Sequence, residues 1–194
     1  MKSFFYLFFL LPLVLSSQSN WQQKADYNMN VSVDVKTFEF SGNQEIVYTN
    51  NSPDTIRKVY YHLYFNAFKP GSQMDVRSLN ISDPDRRVKD RISKLKKNEE
   101  GDLSVFELKQ DGKPIVFEKQ ETVLLARLNK ILLPGKKTKL ALKFRGVVPK
   151  QIRRSGRNNN DGVALSMTQW FPKLAEYDFE GWHPNPYIAR EFHG

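Results

Sequence analysis

The chain has 194 residues, no cysteine, and 30 Lys and Arg against 21 Asp and Glu, for a formal net charge of +9. Without thiols, disulfide staples, thiolate metal ligands and cysteine nucleophiles are excluded, so packing and hydrogen bonds alone must hold the fold. The basic balance raises nucleic acid or an anionic surface as a partner, and the placement of the charges has to decide that.

In chain order, Lys2 precedes an apolar run from Phe4 to Leu15, broken only by Pro12, and small polar residues come next at Ser17 and Ser19. This is the layout of a secretory signal peptide, and the run falls short of the roughly 20 apolar residues of a membrane span. Residues 1–19 are read as a signal peptide with cleavage near Asn20, and residues 20–194 as one domain. The expected location is secreted or periplasmic, with no membrane span after cleavage.

Alternation dominates the chain beyond the leader. Tyr27, Met29, Val31, Val33 and Val35 occupy every second position, the period of a half-buried strand. Phe38 and Phe40 sit on the other parity, which calls for a bulge or turn near Lys36-Thr37. Ser41-Gly42-Asn43 reads as a turn, then Ile46 and Tyr48 alternate into a second turn at Asn50–Asp54. Val59, Tyr61, Leu63 and Phe65 share one face of the next strand and Tyr60, His62 and Tyr64 the other; a strand aromatic on both faces is expected at the centre of a sheet. Lys69–Ser72 closes it.

Residues 75–102 read as a polar excursion in which Val88, Ile92 and Leu95 form a short helical stripe. Asp111-Gly112 between two apolar runs predicts a hairpin, since both residues tolerate positive φ. Thr122 to Leu133 is a further strand ended by Pro134-Gly135. Leu140, Leu142 and Phe144 alternate with Lys139, Lys143 and Arg145 as an inside/outside strand. Val163 to Phe171 is read as one more strand, before an end rich in aromatics, Pro and Gly. With no long amphipathic helix, the fold class is all-β, a sandwich or saddle of antiparallel sheets.

Chemistry-bearing patterns are sparse. His62, His183 and His193 are the only histidines, and no His-Glu-x-x-His occurs. His62 reads as a packed strand residue, and neither His183 nor His193 has the neighbours of a metal ligand. No Gly-x-Ser-x-Gly elbow or phosphate-binding glycine loop is present. The basic run Arg86 to Lys97 is interleaved with acidic residues and carries no aromatics, and Arg153, Arg154 and Arg157 have none nearby, so no nucleic-acid groove is expected. Asn30, Asn50 and Asn80 head glycosylation sequons, relevant only in a eukaryotic secretory pathway.

Longer stretches carry a resemblance. Asn51–Asp54, Tyr60-Tyr61-His62-Leu63-Tyr64-Phe65-Asn66-Ala67-Phe68-Lys69-Pro70-Gly71-Ser72, Val148–Arg157, Ser166-Met167-Thr168-Gln169-Trp170-Phe171-Pro172-Lys173-Leu174-Ala175, Gly181–Tyr187 and Arg190–Gly194 are similar to the N-terminal domain of secreted bacterial members of the aminopeptidase N family of zinc metallopeptidases. The resemblance implies a saddle-like antiparallel β-sandwich that precedes a thermolysin-like catalytic domain. The zinc, its His-Glu-x-x-His helix and the Gly-x-Met-Glu-Asn strand are expected in that partner domain, so no catalytic residue and no metal ligand is assigned here. Peptide substrate would be met only in that context. Gln169, with Trp170, is the candidate for reaching the pocket of the first substrate side chain; alternatively Gln169 caps a strand edge and Trp170 fills a domain interface.

The leading expectation is therefore a non-catalytic N-terminal domain, ending before the catalytic domain, inactive and without stoichiometric zinc on its own. The alternative is a free-standing exported β-sandwich binding module that recognises its ligand through Trp170, Trp182 and Tyr187. For the isolated domain, an exposed apolar patch is expected at the C-terminal aromatic segment.

Overall fold

In the computed structural model, residues 21–81 and 88–187 are described. The leader read at residues 1–19, the start of the basic run at Arg86-Arg87 and the terminal Arg190–Gly194 lie outside them. The strands are β1 (Lys24–Val33), β2 (Glu39–Thr49), β3 (Ile56–His62), β4 (Asp102–Gln110), β5 (Lys113–Pro114), β6 (Phe117–Gln120), β7 (Val123–Leu132), β8 (Lys137–Val147), β9 (Gly156–Arg157), β10 (Leu165–Ser166), β11 (Lys173–Leu174), β12 (Tyr177–Asp178) and β13 (Gly181–Trp182). A five-stranded sheet runs in the order β1-β2-β8-β4-β5 and a four-stranded sheet in the order β11-β3-β7-β6, with every pairing antiparallel. The fold is the expected all-β sandwich. Ile46, Leu140, Leu142 and Leu103 of the first sheet share one core with Val59, Tyr61, Leu124 and Ala126 of the second. Each large apolar side chain taken fully out of water contributes about 1.5–3 kcal/mol before entropy is charged.

Local signals translate directly. Asp111 and Gly112 sit at φ 47 and 84 between β4 and β5, the turn their side chains favour. The parity switch after Val35 is a hairpin turn: the Asp34 carboxylate accepts from Lys36 N and Thr37 N, and the Phe38 amide donates to Asp34 O. Buried Asn50 organises the next turn, donating to Asp54 O and Leu132 O while its Oδ1 accepts from Ser52. So employed, Asn50 cannot serve as a glycan acceptor in the folded chain.

Elsewhere the fold departs from the alternation. Strand β3 ends at His62, and Tyr64–Ala67 forms a 3-10 turn. The Asn66 side chain causes this break: it donates to Leu103 O and Glu121 O and accepts from Leu103 N, drawing the chain out of the sheet. An unforeseen helix, α1 (Gln73–Asn80), starts where Ser72 caps the Asp75 amide. Val88 and Ile92 are fully buried, so the polar excursion is pinned to the core. Its turns are irregular; the stripe does not form a helix. Several of its charges are used locally, with Lys94 on Asp90 and the Arg91 guanidinium on Gln151 O. Arg157, expected to lack aromatic neighbours, stacks on Phe38 with its guanidinium 4.6 Å from the ring centre. Val163–Phe171 is not a strand beyond Leu165–Ser166, because Gln169 turns left-handed at φ 55.

Gly42 does not turn the chain. It lies inside β2, and its partner across the ladder is Phe144, while Phe40 faces Gly146. A Cβ on Gly42 would stand 2.8 Å from the Phe144 ring and 2.7 Å from Asn30 O; one on Gly146 would stand 2.3 Å from the Phe40 ring and 2.5 Å from Asp102 O. Each phenylalanine thus occupies the space left by the glycine opposite, a reciprocal pair that lets two large rings lie flat on adjacent strands. Gly146→Ala is expected to cost about 1–3 kcal/mol through this overpacking, seen as a lower midpoint in urea unfolding. An unchanged midpoint would show that the rings have room to move.

Candidate functional site

The segment Leu165–Tyr187 ties the two sheets together. Trp170 packs edge-on against Phe40 (ring centres 5.7 Å apart) and tilted against Phe144 (6.0 Å), over the Phe/Gly pairs of the first sheet. Phe171 meets Tyr27. The buried Gln44 amide donates to Pro172 O at 2.9 Å, and Leu174 N donates to Tyr27 Oη at 2.9 Å. The same residues then pair with the other sheet, Lys173 opposite His62 and Leu174 opposite Tyr61, and Ala175 N donates to Tyr60 O. Residues 170–175 therefore act as a clasp.

At the entry to this clasp the two sequence-predicted site residues are adjacent but differently held. Trp170 is half-buried on the aromatic core. Gln169 has left-handed backbone, a conformation costing a glutamine on the order of 1 kcal/mol or more, and its side-chain amide makes no hydrogen bond among the described residues. The preceding loop is held by Ser155, whose hydroxyl donates to Ser166 O and accepts from Thr168 N.

After the clasp, β12 and β13 form a small hairpin. Trp182 sits among Tyr177 (5.0 Å), Tyr60 (5.8 Å) and Tyr48 (6.2 Å), so it touches both sheets. Tyr187 packs between Tyr64 and Phe68 and is only 8% exposed. Of the three rings expected to form an aromatic recognition surface, Tyr187 is buried, while Trp170 and Trp182 are half-buried against the core. Among the described residues of the C-terminal segment, Phe179 at the hairpin tip is 85% exposed. A cavity of about 420 Å³ opens beside the hairpin, lined by Trp21, Tyr27, Tyr48, His62, Lys173 and Tyr177 among others.

His62 is packed, in line with its place in the sequence: it is buried and stacks on Tyr64 with ring centres 4.8 Å apart. Burial, helped by the Lys173 charge and opposed by the His183 main chain, lowers its pKa from 6.5 to about 4. Burial raises the Tyr27 hydroxyl to about 12 despite the bond from Leu174 N. His183, in contrast, has the neighbours it was expected to lack. Its Nε2 lies 2.8 Å from Asp178 Oδ1, and Glu180 stands nearby. A hairpin brings these together: the turn at Phe179-Glu180 is closed by Gly181 at φ 104. The one signal in the sequence is Glu180-Gly181 as a turn between aromatic residues.

No family model matches the chain, and no curated protein matches it. Solved structures that align with part of the chain include M1 zinc metallopeptidases of Deinococcus radiodurans. A mutant of that enzyme aligns with a TM-score of 0.43 at 13% identity, over 71% of this chain and 24% of its own. The mutant bound to a Tyr-Ser-Ala substrate gives 0.46 at 13%, over 84% and 29%. A two-domain M1 mutant bound to L-tryptophan gives 0.46 at 14%, also over 84% and 29%. The aligned region thus spans less than a third of each. No helix among the described residues is long and apolar enough to cross a membrane.

The depressed His62 pKa links stability to pH. Between pH 6.5 and about 4 the unfolded chain binds a proton that folded His62 does not, so stability rises with pH across that window. The contribution is complete above pH 6.5 and is lost as pH falls through the window, at most about 3 kcal/mol. Urea unfolding from pH 7 to pH 4 is expected to show this loss, and His62→Phe to flatten it; an equal slope in the variant would assign the loss to carboxylates alone.

Proposed function

We propose that this chain is a non-catalytic N-terminal β domain of a secreted zinc-aminopeptidase-like protein, walling one side of the substrate cleft of a thermolysin-like catalytic domain. The observation that supports this reading best is the clasp. The stretch Ser166–Ala175, where the sequence most resembles that family, is the one that fastens the two sheets and carries Gln169 with an unengaged amide at a fixed left-handed turn. A backbone set in this way positions a side chain to contact a ligand held by a neighbouring domain. Trp170, seated on Phe40 and Phe144, anchors that turn.

The zinc of such a protein, when bound in the catalytic domain, supplies carbonyl polarisation and water activation. Gln169 would contribute a hydrogen bond at the pocket for the first substrate side chain. A second reading, a free-standing exported binding module, draws on the cavity of about 420 Å³ beside β12 and β13.

The mature chain is expected to release no arylamine from aminoacyl-arylamide substrates, with or without added zinc; hydrolysis abolished by a chelator would overturn the proposal. The gene separates the two readings. A frame continuing past Gly194 into His-Glu-x-x-His supports the domain, and an immediate stop codon supports the free-standing module.

A further inference from the structure

The β12–β13 hairpin assembles Asp178, Glu180 and His183 so that one ligand atom from each lies within 4.8 Å of the others. Two of the three are held in place, His183 beside the core and Asp178 by the hairpin itself. The His183 amide donates to Glu176 O at 2.9 Å, and its neighbour Trp182 is locked among Tyr48, Tyr60 and Tyr177. Asp178 pairs with Gly181 in the ladder, and its Oδ1 accepts from Glu180 N at 2.8 Å. Glu180 is exposed and free to swing.

The electrostatics are as informative as the spacing. In a chain with 30 Lys and Arg, the Glu180 carboxylate forms no ion pair with any described residue, yet it converges on a second carboxylate. Two carboxylates and an imidazole gathered at one hairpin are a donor set that a divalent cation can bridge.

We propose that this hairpin is a binding site for a divalent ion of the zinc class, with Asp178, Glu180 and His183 as its protein ligands. Metal–ligand bonds near 2.1 Å place tetrahedral ligand atoms about 3.4 Å apart. The Asp178–His183 contact of 2.8 Å therefore opens slightly, and Glu180 closes in. One imidazole and two carboxylates suit zinc, with water in the fourth position. Magnesium and calcium, which take all-oxygen shells of six or more, are poorly served. A metal here departs from the expectation that this chain binds none. Its effect is structural: the ion ties the hairpin tip to the base held by Trp182, and it stabilises the fold by mass action.

The test is a zinc titration of the metal-stripped mature chain, monitored by calorimetry and by tryptophan fluorescence, which reports on Trp182. One-to-one binding is expected, with a higher melting temperature in zinc but not in magnesium or calcium. His183→Gln, Asp178→Asn and Glu180→Gln are each expected to weaken binding on the order of tenfold or more, while their metal-free melting temperatures show whether the fold survives. Absence of binding to the wild-type chain overturns the proposal. So does undiminished affinity in the three folded variants, which would place the ion elsewhere, for instance at His193.

Discussion

Two phenylalanines that each lie over a glycine of the neighbouring strand set the geometry on which the rest of this structure depends. Phe40 faces Gly146 and Phe144 faces Gly42, and neither glycine has room for a Cβ. The rings gain a flat seat, and a broad aromatic surface results on the inner face of the five-stranded sheet. Trp170 packs on that surface, and the chain beyond it is then committed to run between the sheets. Edge-on aromatic pairs of this kind contribute about 0.5–1.5 kcal/mol each beyond area burial.

From that seat the clasp is built by hydrogen bonding. Gln44 and Tyr27 on one sheet and Tyr60, Tyr61 and His62 on the other satisfy successive main-chain groups of residues 172–175. The left-handed turn at Gln169 lies just before the clasp and the Asp178–Glu180–His183 hairpin just after it. Both candidate sites are thus held by the same few core contacts. Because the clasp carries few long ladders of its own, its stability is borrowed from those aromatic contacts.

Where one residue's conformation has a local cause, the sequence is readable. Asp111-Gly112, the β8 alternation from Leu140 to Phe144 and the packed role of His62 all depend on neighbours within a few positions. Gly42 looks like a turn residue because its true reason is Phe144, distant in sequence. The aromatic alternation through Phe65 conceals the 3-10 turn at Tyr64–Ala67, which Asn66 creates by bonding to β4 and to Glu121. Strands β9 to β13 are two residues long, too short for any periodicity to show. The proximity of Gln169 to Trp170 is trivial from sequence, but the backbone that sets Gln169 is not. His183 fails the spacing of helical zinc motifs, whereas its carboxylate neighbours reach it across a hairpin.

The joining of clasp to sheet can be measured as a coupling energy. A double-mutant cycle of Phe144→Leu and Trp170→Leu, read by urea unfolding, is expected to give a favourable interaction of about 0.5–1.5 kcal/mol between the two rings. Strict additivity would mean that Trp170 does not rest on Phe144 in solution, and that the clasp and both sites beside it are held by something else.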